Sequence, residues 1–214
     1  MRKRLCGLAL SILLLCGPSA RASPFTDISG SNYAAGIEWV YDQGITIGTT
    51  ATTFAPYVDC SRIQILTFMW RASGRIEYDN GTYPFDDDPP TNKDFLKAAY
   101  WAYYSGIEPG IKDDDKPGQN LLKPSEPCPR EDVVMYFWRL DGAKEPEDSS
   151  LVDQFTDIIF TDQNEELRYA VSWALERGIT GGFKDNTFRP GKPCQRGQIA
   201  TFLHRYYVPE VALT

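Results

Sequence analysis

Six times along the chain, apolar residues return at the spacing i, i+3, i+4, i+7, which gathers them on one face of an α-helix. Three of these stripes are rich in small residues: Tyr33, Gly36, Ile37 and Val40; Phe95, Ala98, Ala99 and Ala102; Leu167, Ala170, Val171 and Ala174. Each predicted helix runs into a glycine, at Gly44, Gly106 and Gly178, the usual place for a helix to stop. The other three stripes carry larger side chains: Ile65, Phe68, Met69 and Ala72; Val133, Tyr136, Phe137 and Leu140; Ile199, Phe202, Leu203 and Tyr206. Ser61-Arg-Ile-Gln64 has the form of a capping box ahead of the first of these. Pro129 sits where a missing N–H is harmless, and Arg71, Arg139 and Arg205 fall near helix ends, where a cation suits the dipole.

Small-stripe and large-stripe helices alternate, and one phrase joins them. Gly178-Ile-Thr-Gly-Gly-Phe-Lys-Asp-Asn-Thr-Phe-Arg-Pro190 leads to Cys194-Gln-Arg196, as Gly44-Ile-Thr-Ile-Gly-Thr-Thr-Ala-Thr-Thr-Phe-Ala-Pro56 leads to Cys60-Ser-Arg62. A stretched copy runs from Gly106-Ile107 through Leu122-Lys-Pro124 to Cys128-Pro-Arg130. The phrase predicts a helix end, a turn, an extended Thr-Phe-x-Pro strand and a second helix opening on an arginine. The second copy has an Ile111–Glu126 insertion in place of that strand. Each copy opens on Phe-x-Asp, at Asp27, Asp87 and Asp157. The repeats span 23–74, 85–142 and 155–207, with polar linkers at 75–84 and 143–154 and a tail at 208–214. One helix pair cannot bury both stripes, whereas three copies packed by their second helices around a shared axis can. The expected fold is mainly α, three helix–loop–helix repeats in one pseudo-threefold domain.

The amino terminus changes the compartment. Met1-Arg-Lys-Arg4, an apolar run from Leu5 to Cys16 and Ala20-Arg21-Ala22 describe a secretory signal over residues 1–22, with an apolar run too short to span a bilayer. Of the 22 basic residues, Arg2, Lys3, Arg4 and Arg21 leave with it and no acid does, so 18 stand against 29 acidic residues, a net charge of −11. That balance speaks against binding nucleic acid or anionic membranes by bulk charge; an anionic ligand needs locally placed cations. Cys6 and Cys16 go with the signal. Cys60, Cys128 and Cys194 remain, one per repeat at the same position, an odd set unlike a disulfide framework. They read as small buried hydrophobes rather than as a metal site lacking its fourth ligand.

Phe-x-Asp, a helix ending Gly-Ile-x-x-Gly, Thr-Phe-x-Pro and x-x-Arg-x-Gln together resemble the S-layer homology module, in three tandem copies covering nearly all the chain after the signal. The resemblance implies a three-pronged bundle that holds a secreted protein at the bacterial cell surface. It implies a secondary cell-wall polysaccharide linked to peptidoglycan as partner, often with a pyruvate ketal on a terminal amino sugar, bound in grooves between prongs. It places the family's signature arginine at Arg62, Arg130 and Arg196. The signature itself reads Ser-Arg-Ile-Gln, Pro-Arg-Glu-Asp and Gln-Arg-Gly-Gln here, keeping the arginine and replacing the glutamate. Where many members have a tryptophan early in the first helix, this chain has Tyr33, Phe95 and Leu167.

An arginine in the first turn of a helix opposes the macrodipole by up to about 1 kcal/mol, and three copies accept that. Either the guanidinium grips a carboxylate beside free helix N–H groups, or it pairs with Asp27, Asp87 or Asp157. Trp39, Trp101 and Trp173 lie beside the small stripes and can line grooves for sugar stacking or pack between repeats; Trp70 and Trp138 lean to packing. His204, the single histidine, takes the slot of Trp70 and Trp138 and reads as an aromatic substitute. Asp86-Asp87-Asp88 and Asp113-Asp114-Asp115 lack the spacing of a calcium loop, and Asn80-Gly81-Thr82 is a common turn. With no nucleophile–base pair, metal cluster or phosphate loop, the chain reads as a non-catalytic carbohydrate-binding module without cofactor, bound neither to nucleic acid nor in a membrane. Two other classes stay open: a self-associating surface-layer protein, and a small wall-active hydrolase built on a carboxylate pair.

Overall fold

The computed structural model describes residues 22–78, 82–112, 115, 117–159 and 164–209. The expected signal up to residue 21, the Asn80 turn, Asp113 and Asp114, and the end of the tail lie outside them. The described chain is mainly helical: α1 (Ala34–Asp42), α2 (Arg62–Ala72), α3 (Lys93–Tyr104), α4 (Arg130–Leu140), α5 (Glu165–Glu176) and α6 (Arg196–Tyr207), with a 3-10 turn at Leu151–Gln154. Each of the six stripes lies on one of these helices, with Tyr33 of the first at the residue that precedes α1. Local chemistry starts them: Ser61 N–H donates to Gln64 Oε1 and Gln195 N–H to Gln198 Oε1, both at 3.0 Å, while Asn92 Oδ1 accepts from the amides of Asp94 and Phe95.

Helix pairing crosses the repeats. α3 packs on α2, α5 on α4, and α1 on α6, so each first helix lies against the second helix of another repeat, and among the described elements the first closes on the last. The small residues of the stripe permit this. A Cβ on Gly36 would stand 2.8 Å from the Thr201 backbone, and the Tyr33 ring lies against Gly197. Trp39 adds a stacked contact with Tyr207, centroids 5.8 Å apart.

The expected Thr-Phe-x-Pro strand does not form; among the described residues there are only isolated β-bridges. The reason is local. Ala55, Lys123 and Arg189, each just before a proline, sit at φ 60, 52 and 59, in the left-handed region that breaks an extended run. An aspartate carboxylate supports each of them. Asp27 accepts from the amides of Phe54 and Ala55 at 2.9 and 2.7 Å, and Asp157 from those of Phe188 and Arg189 at 2.8 and 2.7 Å. Asp87 does the same for Leu122 and Lys123, so Leu122 stands in the second repeat where phenylalanine stands in the others. Reciprocal backbone bonds join Ile111 and Leu121, and the segment after Leu121 does the same work as Phe54–Pro56.

The segments before the large helices join in a ring. Cys60 N–H donates to Cys194 O at 2.9 Å, Cys128 to Cys60 at 2.9 Å and Cys194 to Cys128 at 2.8 Å. Beside it Arg62, Arg130 and Arg196 give their amides to Glu126, Lys192 and Val58. The linker segments also pack: Trp70 and Trp138 are buried and donate Nε1–H to Ile76 O and Lys144 O, and Val152 is wholly buried.

Candidate functional site

Each arginine that opens a large helix is carried by the ring against the Asp-braced segment of another repeat. Arg196 Nε–H donates to Phe54 O at 2.9 Å and Arg130 Nε–H to Phe188 O at 3.0 Å. Their guanidinium groups lie over phenyl rings, Arg196 over Phe54 and Phe68 at 4.8 and 5.3 Å, and Arg130 over Phe183, Phe188 and Phe202 at 4.9, 5.0 and 5.5 Å. Burial pulls both guanidinium groups below the ordinary arginine range, and no ion pair joins either to a carboxylate among the described residues. Asp27, Asp87 and Asp157 are engaged with backbone amides of their own repeats. Partial burial acts to raise the Asp27 carboxyl, but the Phe54 and Ala55 amides and the Arg196 charge bring it below its usual value.

Arg196 and Arg62, each 8% exposed, line cavities; Arg130, at 3%, lies under its three rings. The Arg196 cavity, about 130 Å³, is walled by Thr46, Ile47 and Gly48 after α1, by Gln64, Thr67, Phe68 and Arg71 on α2, and by Phe95 on α3. It therefore draws on all three repeats, and no carboxylate among the described residues lines it. Arg71 Nη2 pairs with Asp94 at 2.6 Å, Nη1 bonds Ile45 O, and Nε is buried with no partner among the described residues. A wider cavity of about 560 Å³ adjoins it through Gln64 and Phe95 and runs over Ser61, Asp88–Asn92, Pro124 and Ser125.

The Arg62 cavity, about 220 Å³, is lined by the same positions one repeat further on: Glu108, Pro109 and Gly110 after α3, and Asp132, Met135, Tyr136 and Arg139 on α4. Its chemistry differs. Arg62 Nη1 pairs with Asp132 Oδ2 at 2.6 Å and donates to the Tyr136 hydroxyl at 3.0 Å, which donates in turn to Glu108 Oε2. Burial pushes the Glu108 carboxyl up, against the Tyr136 bond and the Arg62 charge. Burial acts to lower Arg62, yet Tyr136 and Asp132 hold it above its ordinary value.

The tryptophans divide. Trp39 is half-buried, its ring close to those of His204 and Tyr207. Trp101 and Trp173 are 1% and 2% exposed, and neither contributes to the wall of these three cavities. The three cysteines are fully buried; burial pushes the Cys60 thiol up to about 12 and raises Cys128 and Cys194 as well, so they stay protonated. Sequence pattern names the arginines but not the walls facing them. Glu108, Asp132 and Tyr136 stand where the other repeats have Thr46 and Thr180, Gln64 and Gln198, Phe68 and Phe202; aligning the repeats position by position carries that signal.

The family model for the S-layer homology domain matches residues 24–65 and 154–200. An endoglucanase of Bacillus sp. (strain KSM-635) is 27% identical over 183 residues, which cover 85% of this chain and 18% of that protein. The chain thus spans less than a fifth of the length of that curated relative.

Proposed function

We propose that the chain, a member of the S-layer homology family by the model that matches residues 24–65 and 154–200, is a non-catalytic module that anchors a protein to the cell wall. In this reading the segment 85–142 is a third module, the three close into a pseudo-threefold bundle, and the Arg196 cavity grips an anionic, pyruvate-bearing secondary cell-wall polysaccharide. The supporting observation is the make-up of that cavity: a guanidinium without a carboxylate partner, a second arginine with a free buried N–H, and hydroxyl and amide groups around them. Low-dielectric walls strengthen such a donor set for a carboxylate, and Ile47 and Phe95 offer apolar surface to a sugar ring. The ring of backbone bonds through Cys60, Cys128 and Cys194 supports threefold closure. Arg130, under three phenyl rings, is given a structural role, as are Trp101 and Trp173.

Sedimentation of the protein with purified cell wall, before and after its non-peptidoglycan polymer is stripped, tests the reading. Binding should require the polymer and weaken about tenfold or more, about 1.4 kcal/mol, in Arg196→Ala. Ile47→Glu should weaken it equally, since Ile47 is 82% exposed and its replacement adds a repelling charge without touching the core. Self-association without wall, or release of soluble sugar, would overturn the proposal.

A further inference from the structure

The two arginine cavities occupy equivalent places, yet five wall positions differ between them, and three of those changes gather at the guanidinium. Where Thr46, Gln64 and Phe68 surround the Arg196 cavity, Glu108, Asp132 and Tyr136 surround Arg62. Asp132 lies 2.6 Å from Arg62 Nη1, and Glu108 Oε2 lies 3.9 Å from the same nitrogen. Glu108 is fixed from its other oxygen by the Gly110 amide at 2.8 Å. The guanidinium is drawn towards these groups. Arg196 and Arg130 each give Nε–H to a phenylalanine carbonyl, whereas the Nε of Arg62, more than nine-tenths buried, has no acceptor among the described residues. The cavity's remaining cation, Arg139, is tied to Glu166 at 3.0 Å and to Ile107 O, as Arg71 is to Asp94 and Ile45 O in the other cavity, so the difference between the two lies at Arg62 and Arg196.

A carboxylated sugar entering here would meet two like charges at close range in a poorly screened site. An uncharged hydroxyl suits the same wall, because it donates to a carboxylate oxygen and accepts from an arginine N–H. The volume, about 220 Å³, is below the roughly 300–1,000 Å³ of sites enclosing drug-sized ligands and matches a single ring better than a chain. We infer that the Arg62 cavity binds an uncharged, hydroxyl-bearing sugar residue, and that Glu108 and Asp132 turn away the acidic residue taken by the Arg196 cavity. The second half rests on the function proposed above; the first does not. A polymer alternating acidic and neutral sugars would then be read at two unlike places on one chain.

Arginine Nε–H resonances followed by NMR separate the possibilities, with Arg62 and Arg196 assigned from Arg62→Lys and Arg196→Lys spectra. The probes are the methyl glycoside of N-acetylglucosamine and the 4,6-pyruvate ketal of the same glycoside. The uncharged probe should shift the Arg62 signal, and the pyruvylated probe the Arg196 signal but not that of Arg62. Asp132→Asn, at a partly exposed side chain, should weaken the uncharged probe about fivefold or more. The triple change Glu108→Thr, Asp132→Gln, Tyr136→Phe, which copies the first repeat, should raise the stoichiometry of the pyruvylated probe from one to two per chain. A pyruvylated probe that shifts Arg62 in the unaltered protein, or an uncharged probe that leaves it unmoved, overturns the inference. If only the Arg196 response fails, the anionic part of the proposed function falls and the neutral site stands.

Discussion

At the scale of single residues, three aspartates do the same task with different sequence around them. Each holds a left-handed residue just before a proline, a conformation that is costly for a side chain with a Cβ. Asp157→Ala leaves the Phe188 and Arg189 amides without their acceptor and should lower unfolding free energy by about 2–4 kcal/mol in urea titrations, with Asp157→Asn costing less. Glu108 gives a pH signature. Its folded pKa is raised by burial, so its contribution is full below the ordinary value of 4.5 and is lost as pH rises through the folded value. The melting temperature of the unaltered protein, measured relative to Glu108→Gln, should therefore fall as pH climbs from 4.5 towards neutrality. A difference that stays flat or climbs would mean that the Tyr136 bond and Arg62 outweigh desolvation. The aspartates are visible in the sequence as Phe-x-Asp, but an arginine is only one of the partners that pattern allows. Their real partners, backbone amides some thirty residues on, carry no side-chain signature.

At the scale of elements, periodicity locates all six helices, because a stripe at 3.6-residue spacing gathers on one face of a helix and scatters over both faces of a strand. It does not say which helix lies on which, since a stripe names a buried face and not the face opposite. The small residues hold a partial hint. Gly36 brings α1 against the backbone of α6 at Ala200 and Thr201, closer than any side chain allows. Gly36→Ala should therefore lower the melting temperature and cost about 1–3 kcal/mol by overpacking, despite alanine's better helix propensity. A gain in stability would show that the two helices can part without loss. The strand expected at Thr-Phe-x-Pro fails for a reason local pattern does not show: a residue at positive φ in each copy, held there by a distant carboxylate.

For the whole molecule, closure of α1 on α6 and the ring through three cysteines make the repeats dependent on one another. Removing residues 155–209 strips α1 of its neighbour and opens the ring at Cys60 and Cys128. The remaining fragment should lose its sharp unfolding transition in circular dichroism, where an array of independent repeats would keep one. The mainly helical class is legible from the recurring stripes. The inequality of the cavities is not, because it lies in three residues of one segment, Glu108, Asp132 and Tyr136, that meet Arg62 only when the chain folds.

That closure also orders events in time. As the chain is made, α1 leaves the ribosome well before α6, on which it is seated, and Gly36 and Thr201 lie 165 residues apart. Contacts so far apart in sequence slow folding, so α1 must wait, pliable and unseated, until α6 has been made.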